Sequence, residues 1–202
     1  NFMAGQGYDL RSWGSSPNGV ADTLNTNDTS AVFDLYPALD GIYTVGGVNP
    51  DFATLDPAIE ALNRGGILGP VTLNLRAGTY SKQIEFENII GTNALQRVLI
   101  QSENGDSSQV ILQTPTGGAV VKLDGTGYLT MRGLTIESPN FSAAKSVFLT
   151  NSAHDIIIEN CQLTGRITTQ LYLAEALIYG DAPAFNQLKS NITIRNNRFS
   201  QG

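Results

Sequence analysis

Charge is scarce in this chain. Twelve Lys and Arg stand against eighteen Asp and Glu, charged residues make up 15% of the 202, and the net charge at neutral pH is −6. Phosphate binding wants a basic stripe, so this balance argues against a nucleic-acid partner. It also disfavours an anionic lipid surface. The single cysteine, Cys161, leaves no disulfide to form within the chain, and it reads as a small, semi-buried thiol. The single histidine, His154, cannot make a zinc site alone, and no G-x-S-x-G turn supplies it with a nucleophile. P-loop and Rossmann glycine patterns are both missing. No apolar run approaches the roughly 20 residues of a membrane span, so membrane insertion is not expected. Residues 1–20 carry Gly, Ser and Pro rather than the apolar stretch of a signal peptide. A chain that opens on Asn1 in this texture reads as a piece of a longer polypeptide.

What the chain has is repetition. Residues 128–138 read YLTMRGLTIES, 155–165 read DIIIENCQLTG and 191–201 read NITIRNNRFSQ. Aligned at offsets of 27 and 36 residues, they share apolar columns Leu129/Ile156/Ile192, Met131/Ile158/Ile194 and Ile136/Leu163/Phe199. A small column, Gly133/Asn160/Asn196, falls between them. Units of this length signal a solenoid, in which each unit buries its apolar face against its neighbours. Here the unit is two short strands with a bend between them, which predicts coils of a parallel β-helix. The Asn column is expected to stack its amides along the solenoid axis, as Asn ladders do.

Upstream, Val71 to Val98 repeats at 27 residues, and a looser match sets Ala119–Gly125 over Ser146–Ser152 at the same offset. Twenty-one glycines fit the many turns this requires. Insertions are expected at 143–148, 166–175 and 182–190. One convincing helix precedes the first coil. In DFATLDPAIEALNRGGI, Thr54 or Asp56 can cap, Pro57 sits in the first turn, and Ala58, Ile59 and Leu62 share a face before Gly65 and Gly66. A helix over 54–63 is therefore predicted to cover the N-terminal end of the solenoid, where apolar core and strand edge would otherwise be open. Residues 1–40 show little regular pattern, and Asp22–Ser30 reads as a polar loop or a weak cation site. The division expected is an irregular segment over 1–40 and a β-helix over 41–202.

The stretch GIYTVGGVNPDFATLDPAIEALNRGGILGPVTLNLRAGTY resembles the opening segment of right-handed parallel β-helix proteins secreted by Bacteroidetes. The matching elements are Tyr43–Gly47, Phe52–Leu62, Gly69–Val71 and Gly78–Tyr80, and the likeness continues more loosely to Gly202. Residues 8–17 are similar to the closing segment of a preceding unit in such proteins. The resemblance implies an all-β, right-handed parallel β-helix with a capping helix, attached to other modules of the same polypeptide. The wider pectin-lyase-like fold carries lyases, hydrolases, adhesins and tailspikes, so the fold does not choose among them.

Outward positions can be read because side chains alternate along a strand. They give three ladders: Arg132/Glu159/Arg195, Thr135/Gln162/Arg198 and Thr130/Ile157/Thr193. Two Arg beside a Glu, with Arg198 nearby, could grip an acidic sugar. They also read as a solvated ion-pair stack, stabilising by roughly 0.2–1 kcal/mol per pair. Calcium would need several acids in adjacent rungs, which this ladder lacks, so no cofactor or metal is expected. Glu85 and Glu87 could form a glycosidase pair or simply flank buried Ile84 and Phe86. Asp124 aligns with Asn151 as a turn carboxylate. Tyr172, Tyr179 and Phe185 are candidate sugar-stacking rings.

With no convergent acid and base, the expected function is a non-catalytic structural or adhesive module of an extracellular or cell-surface protein. Its partners would be a polysaccharide or surface glycan. The alternatives are a polysaccharide lyase or glycoside hydrolase fragment acting on an acidic glycan, and a carbohydrate-binding module.

Overall fold

Alternating apolar residues set the strands. The computed structural model describes residues 3–12, 33–115, 117–138, 145–165, 176–181 and 188–200. Asp22–Ser30, residues 166–175, Tyr172 and Phe185 lie outside them. β1 (Tyr8–Leu10) and β2 (Phe33–Leu35) pair antiparallel, so the first forty residues contain a small ribbon. β3 (Leu39–Val45) and α1 (Leu55–Gly65) follow. Four coils then contribute three strands each: β4 (Ile67–Leu75), β5 (Gly78–Ser81) and β6 (Ile84–Phe86); β7 (Val98–Ser102), β8 (Val110–Gln113) and β9 (Ala119–Asp124); β10 (Leu129–Arg132), β11 (Thr135–Glu137) and β12 (Lys145–Thr150); β13 (Ile157–Glu159), β14 (Gln162–Thr164) and β15 (Ile178–Gly180). β16 (Thr193–Arg195) and β17 (Arg198–Ser200) begin a fifth.

The coils stack into three sheets, ordered β16-β13-β10-β7-β4-β3, β17-β14-β11-β8-β5 and β15-β12-β9-β6. Within these three sheets every strand pairing is parallel. The architecture is thus a parallel β-helix of about four turns with one α-helix among the described residues, and the columns predict the coils. Inward columns run straight through it. Leu73, Ile100, Met131, Ile158 and Ile194 are successive partners in the first sheet, and Leu112, Ile136, Leu163 and Phe199 in the second. All of these but Ile194 and Phe199 are buried. Each large apolar side chain so covered contributes roughly 1.5–3 kcal/mol.

The corners explain the small column differently from the expectation. Gly133, Asn160 and Asn196 all have positive φ, at 61°, 54° and 55°. Gly and Asn are the residues that enter this region at least cost. No amide ladder forms: Asn160 and Asn196 are exposed, and their side chains make no hydrogen bond among the described residues. The stitching is done one residue later. Asn197 donates to the Ile158 carbonyl at 2.8 Å and accepts from the Cys161 amide at 2.8 Å.

Coil length is not constant. Val98 pairs with Leu129, 31 residues on, whereas Thr130 pairs with Ile157 at 27. In the third sheet Ala119 pairs with Lys145, so that register is 26 rather than 27, and residues 145–148 lie in a strand rather than an insertion. Turns of different length absorb the difference while each sheet keeps its own rung spacing. β4 also starts earlier than Val71. It begins at Ile67, directly after the helix, and the register slips between Leu39 and Gly41 opposite Gly69 and Pro70. Pro70 has no N–H to donate, and a ladder irregularity is where proline is tolerated.

α1 buries Leu55, Ala58, Ile59, Ala61 and Leu62 and packs on β3 and β6. Thr54 holds the N-cap position, but its side chain makes no capping bond. Gly66 ends the helix at φ 72°, its amide donating to the Leu62 carbonyl, and a Cβ there would meet the Ile90 carbonyl at 2.5 Å. Asn63 ties the helix to the first coil, donating to the Glu85 carbonyl at 2.9 Å and accepting from the Glu87 amide at 3.1 Å. On the outer side Arg64 bridges Glu60 and Asp34, so the residues before β3 are fastened to the cap.

Candidate functional site

Two outer faces gather functional side chains. On the first sheet, Thr44, Asn74, Gln101, Arg132, Glu159 and Arg195 occupy one outward row on six consecutive strands. Gln101 donates to Asn74 Oδ1 at 3.0 Å. Arg132 Nε donates to Glu159 Oε1 at 2.6 Å, and Arg195 Nε and Nη2 reach Glu159 Oε2 at 2.7 and 2.6 Å. The ladder therefore has the register read from sequence, but it is not a solvated stack. Glu159 is only 6% exposed, while Arg132 and Arg195 are 45% and 57% exposed and roof it over. Burial alone would raise the Glu159 carboxyl; the guanidinium hydrogen bonds outweigh it and hold the group below its ordinary range. Arg198 stands apart, on β17 of the second sheet, in the row of Thr135 and Gln162.

The third sheet carries a different row. Glu85, Lys122, Phe148 and Tyr179 are successive outward partners on β6, β9, β12 and β15. They point outward because Val121, Leu123, Val147 and Leu149 on either side of them fill the core. Lys122 Nζ bridges Glu85 Oε1 and Asp124 Oδ2, each at 2.7 Å. Asn151 donates to Asp124 Oδ1 at 2.5 Å. Bonded to Asp124 and Glu85, the lysine is raised in pKa, and Asp124 is correspondingly lowered. The Phe148 and Tyr179 rings lie 5.7 Å apart at 33°, with Lys145 Nζ 5.6 and 5.2 Å from their centroids. Glu85 and Glu87 do not act as a pair. Glu85 is held by Lys122, and Glu87 lies past the end of β6 with its amide on Asn63.

His154 sits at a corner, Nδ1 2.9 Å from Asp155 Oδ2, edge-on to the Tyr128 ring. Arg97 covers that ring from 5.6 Å and donates to the Asp155 carbonyl. The bond from His154 lowers the Asp155 pKa. This corner locks adjacent coils. Cys161 is buried, its sulfur against the Met131 and Glu159 carbonyls, and burial pushes its thiol up to about 11. Among the described residues no group of three or more His, Cys, Asp or Glu is placed to hold a metal ion. No described helix is long and apolar enough to cross a membrane.

Sequence reasoning found the first row and missed the second. Lys122 and Phe148 each alternate with apolar neighbours, which is a sufficient signal for an outward position. Their partnership is hidden because Glu85 and Lys122 are 37 residues apart.

No family model matches the sequence, and no curated protein matches it. Two solved structures are similar in fold: crystal structures of the pectin methylesterase from Aspergillus niger in two deglycosylated forms. Each aligns with a TM-score of 0.50 at 16% identity, over 82% of this chain and 56% of that one. The chain thus spans little more than half the length of these structures. At this identity the likeness establishes the right-handed parallel β-helix fold and nothing about chemistry.

Proposed function

We propose that the chain is a non-catalytic structural or adhesive β-helix module of a larger secreted or cell-surface protein, bacterial like the proteins its opening segment resembles. Its partners are a polysaccharide or surface glycan and other modules of the same polypeptide. The observation that carries this reading is the closure of Glu159 by Arg132 and Arg195, which engages the charged groups of the first face in holding neighbouring coils together. The other shifted carboxylates support it. Asp51, Glu60, Asp106, Asp124 and Asp155 are all lowered, held by Thr44, Tyr36, Ser108, Lys122 and His154 respectively. A carboxylic general acid needs the opposite shift.

The test is turnover on polygalacturonate, methylated pectin, alginate and neutral glycans, with and without calcium. Ultraviolet absorbance reads unsaturated products, a reducing-sugar assay reads hydrolysis, and methanol release reads de-esterification. No product is expected. Turnover that disappears in Arg132→Ala or Arg195→Ala would replace this reading with an enzyme acting on an acidic glycan.

A further inference from the structure

The end of the coil stack nearest α1 presents three strand edges, one from each sheet: β3, β5 and β6. Two of them are closed by the chain itself. The residues after β3 fold back so that Phe52 pairs along it. The Phe52 amide donates to the Thr44 carbonyl at 3.0 Å, and its carbonyl accepts from the Gly46 amide at 2.9 Å. On β6, Asn63 of α1 takes the Glu85 carbonyl and the Glu87 amide. β5 has no such partner. It pairs only with β8, and among the described residues its backbone makes no hydrogen bond outside that ladder. Alternate residues of Gly78–Ser81 therefore turn their N–H and C=O groups to the open side.

Proteins usually blunt an edge with charge, proline or a cover. β5 carries neither charge nor proline, and Gly78, Thr79 and Ser81 are exposed. Lys82, just past its end, is paired with Asp56 of α1 at 2.9 Å. Beside the strand lies a groove of about 370 Å³. All of β5 forms one wall. Gly46, Gly47, Ala53 and the first residues of α1 form the other, and β8 contributes nothing. The space thus runs along the free edge and not over the face of the sheet. Its volume falls within the roughly 300–1,000 Å³ of ligand sites, and the four residues of β5 span about 13 Å.

We infer that this slot takes one extended peptide segment of a partner protein as an added strand of the second sheet. A row of unpaired amides and carbonyls at strand spacing is complemented by the backbone of another strand. The opposite wall stands over the edge. It keeps out the edge of a second folded copy, which carries its own cap, and admits a lone segment. Glycine and alanine on that wall leave room for backbone and small side chains. Tyr80 aligns with buried Leu112, so Thr79 and Ser81 face outward. The segment is therefore three or four residues long, with small side chains toward Ala53 and polar ones outward. The inference goes beyond the module reading and does not rest on it: turnover in the earlier assay would remove that reading and leave this slot as it is.

The experiment titrates a fluorescein-labelled hexapeptide of alternating threonine and alanine with the 202-residue chain and reads fluorescence anisotropy. The peptide should bind in the millimolar range or tighter. The same peptide N-methylated at every amide is more apolar but has no donors, and it should bind about tenfold more weakly or worse, equivalent to about 1.4 kcal/mol. Ala77 and Ala53 are exposed on opposite walls. Ala77→Phe and Ala53→Phe should each fill the groove, weaken binding about tenfold and keep the parent circular dichroism spectrum. Hydrogen exchange over Gly78–Ser81 should slow when the peptide is bound. The inference is overturned if the peptide does not bind, if the N-methylated form binds equally well, or if both folded Phe variants bind as the parent does. Dimers of the free chain that Ala77→Phe dissolves would give the slot to a second copy and overturn it as well.

Discussion

The two ends of the coil stack carry the same kind of side chain and differ in what lies over it. At the first coil α1 brings Leu55, Ile59 and Leu62 down on the core, and Leu73 and Leu75 are fully buried. At the last described coil Ile194 is 43% exposed and Phe199 51%, although Ile158 and Leu163, one rung in, are at zero. Ile194 continues the column of Ile158 in unbroken register. Burial in this fold is therefore conferred by the neighbour and not by the residue, as expected where each coil contacts only the next.

The sharpest way to break that comparison is to put a carboxylate at both positions. Ile158→Asp should unfold the chain, because a buried unpaired charge costs several kcal/mol. Ile194→Asp should cost no more than about 1 kcal/mol. Urea denaturation followed by circular dichroism compares them directly. Equal losses would mean that the last coil is as cooperative as the interior.

The cap provides the next largest effect. Leu62→Ala removes a fully buried contact between helix and coil and should cost about 2–5 kcal/mol, whereas Phe199→Ala should cost about 1 kcal/mol or less. A chain lacking residues 1–64 should aggregate, since it exposes the edge of the first coil, and light scattering will report it. A folded, monodisperse deletion would remove α1 from its capping role.

Glu159 sharpens the comparison inside the stack. Glu159→Gln leaves two guanidiniums facing an amide and should cost about 1–3 kcal/mol. The sign with pH follows from the lowered acidity of this carboxyl. Its contribution is complete above the ordinary glutamate pKa of about 4.3 and is lost as pH falls through the lower value of the folded state. The parent should lose stability across that acid range, and the Gln variant should lose less of it.

The smallest effect belongs to the corner. Asn160→Gly should be neutral to within a few tenths of a kcal/mol, while Asn160→Ala should cost about 1 kcal/mol for its left-handed φ. If Ala is tolerated as well as Gly, the left-handed φ does not decide the column.

How much of this was legible depended on which sheet a residue belongs to. From the third coil onward the bend between the first and second sheets is a fixed, short corner, so Arg132, Glu159 and Arg195 align in sequence as they do in space. The helix was equally plain from Pro57 and the spacing of Ala58, Ile59 and Leu62, although its expected Thr54 cap bond does not form. The Asn column was seen and misassigned. Sequence gives residue type without side-chain direction, and the bonding falls to Asn197 while Asn160 serves its backbone. The third sheet was unreadable for a different reason. Its rungs are separated by 37, 26 and 31 residues, as Ile84, Val121, Val147 and Ile178 show, and no single period can find them. The row of Glu85, Lys122, Phe148 and Tyr179 exists only once those turns are closed.

Cys161 gives the stack a clock. Its sulfur lies beneath carbonyls of the third and fourth coils, 1% exposed, with the thiol pushed up to about 11. A thiol in that state is inert to alkylating reagents at neutral pH, since only the thiolate attacks. It becomes reactive when the fourth coil lifts from the third. With no other cysteine in the chain, and at maleimide concentrations where reaction outpaces reclosing, the rate at which this one sulfur is consumed is the rate at which those two coils part.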